Sequence, residues 1–199
     1  MPDALVRRRA PAAERNHDAI LAALARVLPR SGRCSRSRAT PASTRCSAAA
    51  LPGIVWQPSD LDAGARASIE AWRAHAQLPN LAAPLAVDVT TDDWGIGEVA
   101  AIVCINMIHI APWEAAQGCC AVRARVSARG AYCTCTGPIG AHTALSNEAF
   151  DAKLRANDAC WGVRDMEAVQ SLAAANGFSF VEAVDMPANN FSVIFTKDA

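Results

Sequence analysis

Asn106, His109 and Trp113 close the stretch Val99 to Trp113, VAAIVCINMIHIAPW, and are the side chains of this sequence best placed to do chemistry. The stretch opens as a β-branched apolar run of the kind buried on both faces of a parallel sheet, then breaks off into polar and aromatic residues. In an open α/β sheet, ligands bind where strands end. An unperturbed histidine titrates near neutrality, which makes His109 a candidate general base; its other reading is a core histidine hydrogen-bonded beneath Trp113. Asn106 either binds the substrate or satisfies backbone groups at the strand end, and Trp113 is either a pocket wall or core.

Two aspartates stand at the ends of other expected strands. Ile54 to Gln57 reads as a short buried strand leading into Pro58-Ser59-Asp60, and Leu85 to Val89 as the next, with Asp88 and Thr90 at its end. On spacing alone Asp60 is a helix N-cap and Asp88 closes a turn. The elements that must carry these residues alternate. Pro11 to Leu28 has helical spacing at Ile20, Leu21, Leu24, Val27 and Leu28, and Asp62 to Gln77 places Ile69 and Trp72 on one face. Val99 to Ile105 is a strand, and a helix begins near Pro112. Asn147 to Arg155 and Asp165 to Ala175 follow as helices, Asn176-Gly177 ending the second. Phe178 to Val184 and Phe191 to Thr196, joined by Pro187-Ala188-Asn189-Asn190, read as an antiparallel pair. The order implies an α/β domain with a mostly parallel sheet.

The 199 residues suit a single domain, and 19 basic against 19 acidic residues leave no net charge to attract nucleic acid or an anionic membrane. A small-molecule or protein partner is expected. No apolar run approaches the roughly 18 to 20 residues that span a bilayer, and MPDALVRRRAPAAER lacks the apolar core of a signal peptide, so a cytoplasmic location is expected. Six of the eight cysteines (Cys34, Cys46, Cys119, Cys120, Cys133 and Cys135) crowd into two windows. Adjacent and alternate cysteines do not make zinc knuckles, and a chain without a secretion signal does not build a disulfide framework, so no metal site is expected.

Those windows are anomalous in other ways. Arg30 to Ala50, RSGRCSRSRATPASTRCSAAA, has arginines, no acid and no period, and taken alone reads as a loop or disordered insert. Gly118 to Thr136, GCCAVRARVSARGAYCTCT, carries Arg123, Arg125 and Arg129, again without an acid and with poor periodicity.

The blocks outside them are distinctive. PAAERN at 11–16, WQPSD at 56–60, LPN at 78–80, CINMIHIAPWEA at 104–115, HTALSNEAFD at 142–151, WGVRD at 161–165 and MPANN at 186–190 resemble the methyltransferase-like 26 family, itself similar to class I S-adenosylmethionine (SAM)-dependent methyltransferases. The resemblance runs in order over nearly the whole chain. It implies one Rossmann-like domain over residues 1–199, with a seven-stranded, mostly parallel sheet, an antiparallel last strand and helices on both faces. It implies SAM as cofactor and methyl transfer as activity. By that analogy Asp60 meets the ribose hydroxyls, Asp88 faces the adenine, and Asn106 to His109 border the methyl group and its acceptor. His142, Ser146, Asn147, Trp161, Arg164 and Asp165 fall in family-like blocks that could shape the acceptor side. Arg164-Asp165 otherwise reads as a surface pair or helix start, and Asn189 and Asn190 as turn residues or as side chains reaching back over the pocket.

The sequence departs from the family at the first window. Where the family has a strand and glycine-rich turn like VLEVASGTGQHAVHF, this chain has Cys34 to Cys46. GC-rich codons for that stretch, read one base late, give CSRSRAAPASTRC, which differs from residues 34–46 only at Thr40. Likewise Leu-Tyr-Leu-Tyr coded CTG TAC CTG TAC yields Cys-Thr-Cys-Thr, the sequence of residues 133–136. Both windows, 30–47 and 118–136, are therefore expected to be out-of-frame translation. Losing the glycine turn and the strand acid removes two or three hydrogen bonds to SAM at about 0.5–1.5 kcal/mol each, a roughly ten- to thousand-fold loss of affinity. The expected function is thus a methyltransferase-like protein with weak or lost SAM binding. The rival expectation is a non-catalytic interaction module or the product of a damaged gene. A nicotinamide dehydrogenase is disfavoured, because no Gly-x-Gly-x-x-Gly follows a first strand.

Overall fold

The computed structural model describes residues 16–37, 41–91, 93–140 and 145–198. In chain order the elements are α1 His17–Val27, β1 Gly32–Ser37, α2 Pro41–Ala50, β2 Ile54–Ser59, α3 Ala63–Ala76, β3 Val99–Ile105, α4 Trp113–Val126, β4 Ser127–Gly137, α5 Leu145–Asn157, α6 Met166–Ala175, β5 Phe178–Met186 and β6 Asn190–Lys197. The sheet runs β2-β1-β3-β4-β6-β5. Its first four strands are parallel, and β6 is antiparallel to both β4 and β5.

The core is built from β3 outward. Pleating sends alternate side chains to opposite faces. Ala101, Val103 and Ile105 join a cluster with Ile20, Ala23 and Leu24 of α1, while Ile102 and Cys104 join a second cluster with Ala116, Cys119 and Val122 of α4 and Val169 and Ala173 of α6. Helices thus cover both faces, as the sequence implied, and β3 keeps the bounds read from its apolar run. Asp62 caps α3 by accepting a hydrogen bond from Ala65 N at 2.7 Å, and Gln77 ends the helix in the left-handed region at φ 50°. Asp165 and Asn176 bracket α6.

Three expectations need correction. The sheet has six strands among the described residues, not seven. The segment expected at Leu85 to Val89 makes only isolated bridges to β2, at Trp56–Leu81 and Ser59–Leu85. Trp56 N donates to Asn80 O at 2.8 Å, Ala82 N to Trp56 O at 2.9 Å and Leu85 N to Pro58 O at 3.0 Å, so residues 80–85 follow the sheet edge without completing a strand. Pro84 interrupts the ladder because it has no N–H to donate.

The first window is not a loop, and the second is regular despite its poor periodicity. Residues 30–50 supply β1, inside the sheet between β2 and β3, and α2; residues 118–136 supply most of α4 and nearly all of β4. Nothing in the local pattern of GRCSRS asks for a strand; its register with two neighbours on either side sets it. The result is a central strand whose last four residues, Cys34, Ser35, Arg36 and Ser37, are all buried.

Candidate functional site

The C-terminal ends of the parallel strands carry two clefts, separated by the turn that follows β3. Asn106 makes that turn. Its φ is +54°, a region asparagine tolerates better than most residues, and its N–H donates to Thr136 O at 2.8 Å. Met107 faces the first cleft, Asn106 and His109 the second, and Ile110 borders both.

The first cleft, of about 260 Å³, lies between the end of β2, the segment after Val87 and the start of α4. Asp60 and Asp88 both line it. Asp60 Oδ1 accepts a hydrogen bond from Asp62 N at 2.9 Å, so Asp60 holds the turn before α3 while the cap itself is Asp62. Asp88 Oδ1 accepts from Thr90 Oγ1 at 2.6 Å and Thr90 N at 2.9 Å. These bonds hold its carboxyl below the usual carboxylate range. Gly118 of α4 lets the helix approach this segment, since a Cβ there would lie 2.8 Å from Val89 O.

The second cleft, of about 450 Å³, is lined by Asn106 and His109 together with Ser146, Asn147 and Phe150 of α5, Asn190 at the start of β6, and Asn16 before α1. His109 is 4% exposed, with its ring edge-on to Phe150 at 5.9 Å between centroids. Its expected neighbour, Trp113, instead stacks beneath Arg164 at 5.6 Å. Gly137 makes room for the imidazole, because a Cβ there would stand 3.0 Å from His109 Nδ1. The β5–β6 hairpin closes the far side: Ala188 and Asn189 take φ of 60° and 53°, and Asn189 Nδ2 donates to Ser146 Oγ at 2.7 Å. Asn147 Nδ2 reaches Gly140 O and Asn189 O, both at 3.3 Å.

Arg164 is the residue that sequence reasoning undervalued. It does not pair with Asp165. Its Nε donates to Ile108 O at 3.0 Å and its Nη2 to Ala111 O and Cys160 O, each at 2.8 Å, pinning from behind the turn that divides the clefts. Burial pushes its guanidinium below the usual value. No local signal reveals such a role, because two of the three carbonyl partners, those of Ile108 and Ala111, lie more than fifty residues away. Trp161 is half-buried beside this clamp, donating its N–H to Asp158 O at 3.0 Å. His142 lies outside the described residues.

Among the described residues, no three His, Cys, Asp or Glu side chains gather to hold an ion. The cysteine windows bury charge instead. Arg36, fully buried on β1, donates from Nη2 to Ser43 Oγ at 2.7 Å, and its Nε and Nη1 have no partner. Arg123, 3% exposed on α4, donates from Nη1 to Cys133 Sγ at 3.0 Å, and its Nε and Nη2 have none. Burial pushes the Cys34 and Cys120 thiols up to about 12. A void of about 30 Å³ beside Arg123 is core rather than site.

Solved structures share this architecture. An O-methyltransferase family protein from Burkholderia thailandensis superposes with a TM-score of 0.74 at 11% identity, over 92% of this chain and 60% of its own. Magnesium protoporphyrin IX methyltransferase from Synechocystis, with bound SAH, gives 0.71 at 14% identity, over 92% of this chain and 82% of its own. CalO1, a methyltransferase in calicheamicin biosynthesis, also in an SAH-bound form, gives 0.72 at 14% identity, over 96% and 61%. The chain thus spans about 60% of the length of two of these three. At these identities the likeness establishes the Rossmann-like methyltransferase fold. Among the described residues no helix is long and apolar enough to cross a membrane. The profile of one family, described as a protein of unknown function (DUF938), matches residues 7–197, and the chain belongs to that family.

Proposed function

We propose that this protein is a SAM-dependent methyltransferase of the methyltransferase-like 26 type, acting on a small-molecule acceptor in the cytoplasm, with cofactor affinity impaired by its two anomalous windows. The observation that carries the reading is the pair of clefts at the strand ends, divided by the turn Asn106 to Ile110. Two substrates meeting across one short turn is the arrangement that group transfer by proximity needs.

The residues fit the cofactor on one side only. Asp60 and Asp88 line the first cleft as acceptors for ribose hydroxyls and the adenine. SAM, when bound, supplies a methyl group already activated on a sulfonium. Asn106 and His109 border the second cleft, where Asn106 orients the acceptor and His109 takes the proton that its O–H or N–H loses. Between β2 and β3 in the sheet lies the end of β1, where the methionine portion belongs. Aligned on the out-of-frame reading, Arg36 stands where VLEVASGTGQHAVHF has its glutamate, and the glycines fall at 40 and 42. A buried guanidinium repels the ammonium that an acid would attract.

Two buried arginines, each with two guanidinium nitrogens left without a hydrogen bond, are what frame-shifted translation would leave in a sheet core, and ordinary sequences seldom bury arginine so poorly satisfied. They also favour the second reading, a non-catalytic remnant or the product of a damaged gene. Isothermal titration with SAM and with 5′-methylthioadenosine, which lacks the amino-acid portion, separates these readings. Impairment gives equal, weak affinities for the two. Micromolar SAM binding would falsify it, and no binding of either removes the cofactor cleft itself. Resequencing the gene tests the frame: coding DNA without compensating insertions and deletions sinks sequencing error as the cause.

A further inference from the structure

The second cleft restricts the chemistry of what it accepts. Among the described residues lining it, none is Asp, Glu, Lys or Arg, and His109 alone of them can take a charge. Its polar surface is carboxamide and hydroxyl, from Asn106, Asn147, Asn190 and Ser146, and its apolar surface includes Phe150, an aromatic ring 38% exposed. One polar atom on this surface is left over. Asn16 is 5% exposed, and its side-chain Oδ1 is buried with no hydrogen-bond partner, although it stands at the N-cap position of α1, where it makes no side-chain capping bond. A buried orphan acceptor in a native fold calls for an explanation, and a ligand donor supplies one.

We propose that the acceptor is an uncharged ring compound carrying an O–H or N–H donor, its ring lying against Phe150 and its donor satisfying Asn16 Oδ1. This deepens the methyltransferase reading and rests on it for the word acceptor. Among the described residues an anion would meet no fixed cation there and a cation no carboxylate, so each would shed its hydration without compensation. An amide-lined cleft accommodates neutral polar groups at no such cost. The volume of about 450 Å³ suits a ligand of one or two rings.

Saturation-transfer NMR titrations without cofactor test this using four matched probes: 4-hydroxybenzamide, its anionic analogue 4-hydroxybenzoate, the cationic tyramine, and 4-methoxybenzamide, which lacks the phenolic donor. The neutral hydroxyl compound is expected to bind at least about tenfold more tightly than either charged one, and about five- to tenfold more tightly than the methoxy compound. Phe150→Ala, at an exposed position that leaves the fold intact by circular dichroism, should weaken it about fivefold or more. Asn16→Leu should abolish the preference for hydroxyl over methoxy, and Asn16→Asp should preserve it. A charged probe binding as tightly, or no probe binding at millimolar concentration, overturns the inference. So does unchanged binding in Phe150→Ala. The cofactor titrations are separate: probe binding with the expected selectivity but no binding of SAM or methylthioadenosine would leave this inference standing and remove the methyltransferase reading.

Discussion

Replacing Arg36 by methionine should make the protein more stable, the reverse of what a change in the centre of a sheet usually does. Arg36 is 0% exposed, on a strand hydrogen-bonded on both sides. Two of its guanidinium nitrogens have no partner, and each orphaned buried donor costs about 1–3 kcal/mol, against about 1 kcal/mol lost with the bond to Ser43. A net gain near 3 kcal/mol follows. Burial points the same way: it pushes the guanidinium down from its ordinary value to about 10, opposed by Cys34, Cys104 and Cys46. Methionine fills a similar volume without polar atoms. For a chain of this size, thermal unfolding followed by circular dichroism should show a rise of about 6–12 °C. The sign with pH is a further check. The folded-state value lies below the unfolded one, so the unfolded chain holds more protons between the two, and the parent regains stability as pH climbs above about 10. The advantage of Arg36→Met should shrink over that window. Arg33→Met, at an exposed position on the same strand, serves as control and should shift stability by no more than about 0.5 kcal/mol. An Arg36→Met protein no more stable than the parent would refute both the burial of the charge and the inference that this strand is out of frame.

Arg164→Ala removes the donors to three carbonyls and should lower stability by about 2–4 kcal/mol, read by urea unfolding; Arg164→Lys, without the planar fork, should recover less than half. Asp151 accepts hydrogen bonds from Arg155 Nε and Val163 N, both at 2.7 Å, which tie α5 to the segment before α6. Burial raises its carboxyl, but those bonds prevail and hold it below the usual range, so its contribution is present above the unfolded value and lost as pH falls through the folded one. Asp151→Asn should therefore cost about 1 kcal/mol at pH 7 and nothing near pH 2. Of the eight cysteines only Cys160 is exposed, and burial raises Cys34, Cys119, Cys120 and Cys133. An aromatic disulfide reagent at pH 8 should label Cys160 quickly and Cys46 slowly, with the rest reacting only after denaturation.

The legible parts of this fold are those where local pattern and tertiary position agree. Val99 to Ile105 is apolar on both faces and lies inside the sheet; Asp62 and Gln77 end a helix whose apolar stripe faces its neighbours. The strand-end placement of Asn106 and His109 followed from the abrupt change of polarity there. The illegible parts are those where they disagree. GRCSRS has no period, and only its neighbours make it a strand. The expected strand at Leu85 to Val89 was misplaced because its apolar residues serve the core, Val87 among them, while the pairing to β2 runs through Asn80 to Leu85 and breaks at Pro84. Asp60 falls two residues early for a cap, because Asp62 already holds the Ala65 N–H.

The same disagreement bears on the proposed function. Fold depends on summed burial, and β3 with its two clusters supplies enough apolar surface for the sheet order to survive polar neighbours on both sides. A site has no such redundancy, because each ligand group needs its own partner. Asp60 and Asp88 at one end, and Asn106, His109 and Asn147 at the other, all lie outside the two windows. The end of β1, which stands between β2 and β3 in the sheet, lies inside one. On the proposed reading, the chain keeps the two ends of a two-substrate site and lacks the middle that would join them. Two half-sites without a shared ligand group have no means of sensing each other, so occupancy of the Asp60–Asp88 cleft by methylthioadenosine should leave affinity in the His109 cleft unchanged. A coupling of even threefold would mean that the turn Asn106 to Ile110 itself transmits binding between them.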